Sequence, residues 1–359
     1  MSEPTIDEAQ VKQVLQALKD PETGRNVVEL GQVQDVQVSP SEIKLSLGLT
    51  THSAPLWKTT TAKAEELLRA AFPQVAKVDV SHTLHVRRPE KIGEIGLTAK
   101  SVIVVGSGKG GVGKSTIATS LAYGLQRAGC AVGLVDADVY GPSVPHLLGL
   151  SGRPEVVDQK IQPIVKDGMK VMSMGFLVPP GEAVVWRGPM LHGAITQFLR
   201  DTAWGDLDYL IIDMPPGTGD IALTLSQILP LTGAVVVCTP QEVALLDAVK
   251  AISMFRKVNI PIVGMVENMS GFICPDCERR YDIFGRGGAT EKARELDVPM
   301  LGEVPINMGI RTRGDAGEIA EVFADDITRP YLEQLVTQLA ANLAERVASD
   351  PPLPTLSVL

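Results

Sequence analysis

Apolar residues along this chain follow two rhythms, and the change between them falls near residue 95. Before it, alternation dominates. Val33–Val38 and Ile43–Leu49 read as strands on either side of Ser39-Pro40-Ser41, with shorter strand-like runs at Ala76–Val80 and Thr83–Val86. Ala9–Leu18 and Thr61–Ala71 space their apolar residues as helices do. A small α+β unit over residues 1–95 is expected. After it, continuous apolar runs alternate with helical stretches. Strands are expected at Val102–Val105, Ala131–Val135, Met169–Met172, Tyr209–Ile212, Ala234–Val237, Ile260–Val266 and Met300–Leu301. Runs without polar interruption suit strands buried on both faces. Residues 96–349 are therefore expected to form an α/β domain, a doubly wound, mostly parallel sheet between helices. Ile327–Val347 reads as a closing helix with Pro330 tolerated in its first turn, and three prolines make 350–359 a loose tail.

Composition narrows the partners. Apolar residues make up 45% of the 359 and aromatics only 4%, which suits an aliphatic α/β core. A net charge of −9 lacks the basic footprint of a nucleic-acid binder. No run resembles a signal peptide or is long enough to cross a bilayer, so a cytoplasmic address without membrane partners is expected. The closing helix carries only Arg329 and Arg346 as cations, a poor face for a membrane.

The strongest chemical signal is Gly108-Lys109-Gly110-Gly111-Val112-Gly113-Lys114-Ser115-Thr116, which fits the phosphate-cradling pattern G-x-x-x-x-G-K-[ST]. An apolar run precedes it, and Ile117, Leu121 and Leu125 follow at helical spacing. In that strand–turn–helix setting, backbone N–H groups surround a β-phosphate at the positive end of a helix dipole. Lys114 would neutralise the β- and γ-phosphates of ATP, and Ser115 would coordinate Mg²⁺. Leu210-Ile211-Ile212-Asp213 is an apolar strand ending in an acid, placed to contact Mg²⁺ through water, with Pro215-Pro216-Gly217 following as a γ-phosphate sensor. Asp136 and Asp138 follow another strand, where a carboxylate supports the Mg²⁺ shell or orients the attacking water; a turn cap is the plainer alternative.

Lys109 is superfluous for cradling phosphate. With it, the sequence resembles the deviant P-loop ATPases, the class of MinD, ParA and the nitrogenase iron protein. That resemblance implies a homodimer in which Lys109 reaches the partner's phosphates. It also implies that Asp138 positions water, that Asp136 supports the metal shell, and that Asn268 contacts adenine.

Four cysteines do not make a disulfide framework. Cys130 and Cys238 sit in apolar surroundings and are expected in the core. Cys274 and Cys277 form a lone C-x-x-C, half of the four ligands that zinc or a four-iron cluster requires. A half zinc ribbon, a redox couple and a cluster shared by two copies all fit the pair. Taken with 136–143, 213–220, Asn268-Met269-Ser270 and Trp186-Arg187-Gly188-Pro189-Met190, the chain closely resembles the Mrp/ApbC iron–sulfur carrier ATPases. This resemblance implies a bridging [4Fe–4S] cluster on Cys274 and Cys277, held by a homodimer and passed to apo-proteins, with assembly scaffolds as partners. A positioning ATPase with the same nucleotide site would need a track, and an electron-transfer ATPase would use well-separated cysteines. Residues 18–55 resemble the small SufT-like assembly proteins. Ala54 stands where their cysteine would precede Pro55, so a docking or structural role is expected. His82 and His85, three apart on a strand, should face opposite ways.

Overall fold

A computed structural model of the chain describes residues 6–139, 141–177, 188–217, 219–274, 276–277 and 279–349, with backbone only for Gly188 and Pro189. Tyr140, Trp186, Arg187, Thr218, Pro275 and the 350–359 tail, all singled out in the sequence, lie outside these residues. The chain divides into two compact units, Met1–Arg87 with Ala340–Leu359, and Arg88–Leu339.

The first unit holds α1 (Glu8–Leu15), β1 (Val33–Val38), β2 (Glu42–Leu49), α2 (Trp57–Ala71) and β3 (Lys77–Leu84), with the sheet in the order β1-β2-β3. Strands β1 and β2 run antiparallel, and β2 and β3 run parallel with α2 as their crossover. Asp7 and Gln10 close a reciprocal capping box on α1. Three expectations shift. The first helix stops at Leu15 rather than Leu18, because the N–H groups of Gln16, Ala17 and Leu18 donate to the carbonyls three residues back, and the chain then turns to pair Leu18 with Val27. The second starts four residues early, at Trp57, out of the 3₁₀ turn Thr51–Leu56 that carries Ala54. The two short segments after Ala76 are one strand, β3. Asp20 is fully buried, bonded to Thr23 and Gln32 and paired with Arg87 at 3.0 Å. Burial alone would raise its pKa; the hydrogen bonds and the Arg87 charge more than offset this and hold it below the usual carboxylate range. His82 stacks on Trp57 with ring centroids 4.5 Å apart.

The second unit is built on β4 (Leu97–Gly106), α3 (Lys114–Ala128), β5 (Val132–Asp136), β6 (Ile164–Lys166), β7 (Met169–Ser173), α4 (Gly188–Asp201) and β8 (Leu207–Asp213). It continues through α5 (Gly219–Ile228), β9 (Gly233–Cys238), α6 (Glu242–Lys257), β10 (Ile262–Ile273), β11 (Arg280–Tyr281), α7 (Gly288–Glu295) and β12 (Met300–Ile306). The main sheet runs β11-β10-β9-β4-β8-β5-β7-β6, with β12 also on β10. Pairings from β12 through β10, β9, β4, β8 and β5 to β7 are parallel, and β6 and β11 are antiparallel additions. Every residue of β5, β8 and β9 is buried, so both faces of the sheet are covered. The expected strands are all present; β5 and β7 each gain one polar residue at the carboxyl end, whereas β4 starts five residues earlier, at Leu97, and β12 runs five residues further, to Ile306. The largest change is β10, which runs on to Ile273 and so takes Asn268 into a strand. The closing helix spans Arg329–Ser349, with Pro330 in its first turn. Among the described residues no helix is long and apolar enough to cross a membrane.

Candidate functional site

Strand order places the site. The first long strand of the unit, β4, lies between β8 and β9, so the chain leaves it at the point where connections diverge to either side. Ligands of open α/β sheets bind there, at the carboxyl ends of the strands. Loop 107–113 leaves β4 at this point and α3 starts at Lys114, directing its N-terminal amides at the loop. Ser107 Oγ donates to the Lys109 carbonyl at 2.9 Å, and Gly108 backs onto the Asp247 carbonyl. Gly110 and Gly111 are exposed, Val112 is buried, and Ser115 and Thr116 are half-buried on the first turn of α3. Gly113 has φ +80°, and a Cβ there would overlap the Asn268 amide. Glycine is required on both counts.

The Lys114 ammonium is buried beneath the loop. It lies 2.5 Å from Asp213 Oδ1, 3.2 Å from Ser115 Oγ and 3.9 Å from Asp138 Oδ2. Asp213 ends β8 in register with Val105 of β4 and Asp136 of β5, which brings two carboxylates to adjacent strand ends. Both are fully buried. Burial and the Asp213 charge push Asp136 up to about 7, and burial raises Asp213 despite Lys114 beside it. Asp213 Oδ2 is a buried oxygen without a hydrogen-bond partner among the described residues. An unpaired carboxylate oxygen next to a serine hydroxyl is a donor set that fits Mg²⁺.

The two loop aspartates are placed differently. Both oxygens of Asp136 are taken: Oδ1 accepts from Asp138 N–H at 3.1 Å, and Oδ2 from Val144 N–H at 3.1 Å and Ser173 Oγ at 3.0 Å. It thereby ties the loop after β5 to the end of β7. Asp138 accepts from Gly141 N–H at 3.3 Å and turns its other oxygen to Lys114. The turn after β8 is pinned to the P-loop by Gly217 N–H on the Ser107 carbonyl at 3.0 Å. Lys109 is half-buried in the loop. The structure thus gathers Lys114, Ser115, Asp138 and Asp213 around one point. Asn268 lies against the loop, its Nδ2 donating to the Val112 carbonyl at 2.9 Å.

Cys274 and Cys277 stand apart from this cluster, in the turn joining β10 to β11; Cys274 is half-buried and Cys277 exposed. The Cys274 N–H donates to the Arg279 carbonyl at 3.0 Å, closing the turn. N–H groups of Cys277 and Asp276 hold the Cys274 thiol below its ordinary range. Cys130 and Cys238 are buried, and burial pushes both thiols up, Cys238 to about 12. No cluster of three or more metal-ligating side chains occurs among the described residues, and His82 and His85 join none.

Sequence reasoning missed Ser173, whose signal was available: a small polar residue closing an apolar strand. It also missed Glu267, Arg280 and Glu303, which lie with Ser270 between the nucleotide loop and the cysteine turn. A buried charge inside an apolar run, as at Glu267, was the available sign.

A Lys-bearing phosphate loop on the first strand, with carboxylates at the ends of β5 and β8, defines a P-loop NTPase. Residues 98–344 match the family of NUBPL iron-transfer P-loop NTPases, and residues 8–81 match that of iron–sulfur cluster assembly proteins. The chain belongs to the iron–sulfur cluster carrier family. It is 45% identical over 351 residues to the iron–sulfur cluster carrier protein of Deinococcus radiodurans, covering 95% of this chain and 98% of that one. It is 48% identical over 258 residues to the mouse iron–sulfur cluster transfer protein NUBPL, covering 70% and 79%. Among solved structures, it resembles a nucleotide-binding protein of Archaeoglobus fulgidus in complex with ADP. That match has 42% identity and a TM-score of 0.56, over 62% of this chain and 88% of that one.

Proposed function

We propose that two copies of this chain hold one [4Fe–4S] cluster between them and pass it to apo-proteins, with ATP binding and hydrolysis setting when the cluster is held or released. The observation that carries this reading is the placement of the two thiols of the cysteine turn, Cys274 half-buried and Cys277 exposed. Cys274 follows the last residue of β10, and the same strand carries Asn268, bonded to the P-loop. Two thiolates make half a four-iron ligand set, and a two-fold axis through the turn supplies the other half. Assembly scaffolds are the matching cluster donors, and the cytoplasm the matching compartment.

At the nucleotide, Lys114 would exchange Asp213 for the β- and γ-phosphates, and Ser115 and Asp213 would hold Mg²⁺; Asp136, expected to support the metal shell, has both oxygens taken and keeps the surrounding loop in place. Mg²⁺ supplies charge neutralisation at the phosphates. Asp138 orients the attacking water. Asn268 Nδ2 is occupied by Val112, which leaves its Oδ1 to accept from the adenine amino group. Lys109 serves the partner's phosphates, so hydrolysis depends on pairing. The domains expected from the sequence, 1–95 as a docking unit and 96–349 as the ATPase, follow the same division of labour, although the compact units divide after Arg87 and assign the chain from Ala340 to the first unit.

Anaerobic reconstitution with iron and sulfide tests the reading, combined with metal analysis and mass measurement. One four-iron cluster per two chains is expected. A monomer that retains a full cluster, or a site that takes zinc and never iron, defeats it.

A further inference from the structure

Between the nucleotide loop and the cysteine turn, β10 is bent. Met269 (φ +59°) and Gly271 (φ +74°) take left-handed backbone, and the pairing with β12 jumps from Asn268↔Val304 to Phe272↔Ile306. This is a bulge, a device that re-aims a strand. Upstream of it Asn268 is fastened to Val112; downstream Ile273 pairs with Arg280 across the cysteine turn.

A polar cluster fills the bend. Ser270 Oγ donates to Glu267 Oε1 at 2.7 Å and lies 3.1 Å from Glu303 Oε2. Arg280 Nη2 reaches the Ser270 carbonyl at 2.8 Å, Ser270 Oγ at 3.1 Å and Glu303 Oε2 at 3.2 Å, and its Nε donates to Asp282 Oδ1 at 3.0 Å. Glu267, fully buried, accepts the N–H groups of Gly287 (3.2 Å) and Ala289 (2.8 Å) where α7 begins. A Cβ on Gly271 would come within 2.8 Å of Arg280 Nε and 2.9 Å of Asp282 Oδ1, so glycine keeps the guanidinium's path open. Such a network costs desolvation unless every member is satisfied, and its members then have one arrangement.

We infer that Arg280 is a positioning residue that, with Ser270 and Glu303, carries a displacement of Asn268 to the Cys274–Cys277 turn, so that the nucleotide at the P-loop sets how accessible the two thiols are. The relay, which presupposes that these cysteines carry the cluster, supplies the link between ATP and cargo. Its working part is the rigid guanidinium fork. One planar group holds the carbonyl of β10, a carboxylate of β12 and Asp282 beside the turn at fixed angles, which a lysine ammonium does not reproduce.

The test uses the cluster-free full chain. Alkylation of Cys274 and Cys277 by iodoacetamide is followed by mass spectrometry without nucleotide, with Mg·ADP, and with Mg and a non-hydrolysable ATP analogue. Buried Cys130 and Cys238 serve as internal controls. In the wild type the rate changes by about fivefold or more between nucleotide states, the lower range of allosteric coupling. In Arg280→Ala, Ser270→Ala and Glu303→Gln, nucleotide binds as in the wild type, which reports an intact domain. Their alkylation rates converge to within about twofold across all states, below that range. Arg280→Lys behaves like Arg280→Ala. Wild-type rates indifferent to nucleotide overturn the relay, as do Arg280→Ala and Ser270→Ala proteins that keep the full response. Iron and sulfide uptake, measured separately, addresses the cargo: a nucleotide-dependent alkylation in a chain that takes up no iron upholds the relay and removes the cluster.

Discussion

The two lysines of the P-loop motif are placed differently, and the proposed roles differ with them. Lys114 is buried against Asp213 at the start of α3, whereas Lys109 is half-buried in loop 107–113. Lys114→Ala is expected to abolish measurable nucleotide binding. Lys109→Ala should bind ATP normally and lose turnover on the order of tenfold or more, as when a trans-acting cation is removed. Titration calorimetry and hydrolysis rates at saturating ATP separate the two; unchanged turnover in Lys109→Ala would exclude its role across the dimer. Asp20 gives the small unit a pH dependence of definite sign. Its carboxyl is held below its unfolded value, so its contribution is present at neutral pH and disappears as the pH falls through the folded value. Asp20→Asn should therefore be less stable than wild type at pH about 7, with the gap narrowing below about pH 4, near the ordinary aspartate value. Hydrogen exchange of β2 in the full chain, corrected for intrinsic rates, reads this; a gap that persists in acid contradicts it.

At the scale of elements, the sequence revealed what depends on periodicity and concealed what depends on tertiary pairing. Apolar runs located the strands of the large sheet, and the P-loop motif located the start of α3, because both are local patterns. The extension of β10 was hidden, since Glu267, Asn268 and Ser270 are polar and interrupt the run that marks a strand. They are tolerated because Glu267 caps α7, Asn268 bonds the P-loop and Ser270 meets Arg280. The bonding of Asp136 was equally hidden: the resemblance gave it the metal shell, and only the fold shows Val144 and Ser173 occupying its Oδ2. The contact between β10 and the P-loop predicts a coupled pair of substitutions. Gly113→Ala carries a left-handed backbone cost of about 1 kcal/mol or more and a clash with the Asn268 amide. Asn268→Ala removes the clash but not the backbone cost. In chemical denaturation the double variant should be more stable than the sum of the single losses allows, and strict additivity would exclude the contact.

For the whole molecule, the decisive quantity is the count of thiols at the surface. Cys274→Ala or Cys277→Ala should abolish stable cluster binding while leaving ATP binding within about twofold of wild type, a difference too small to reflect lost site contacts. If the cluster is shared as proposed it is itself a cross-link, so chelation of iron from the loaded protein should shift the dimer towards monomer in light scattering. Wild-type iron content in the double cysteine variant would end the assignment. The separation of thiols into two sealed in the core and two at a turn has a consequence for wear. Of the four thiols, an oxidant meets only Cys274 and Cys277, where a first hit gives a sulfenic acid or a disulfide between neighbours, both reversible by cellular thiols. The core and the P-loop are untouched by that event. Oxidative stress would therefore leave a folded hydrolase idling without cargo, repairable in place and not in need of replacement.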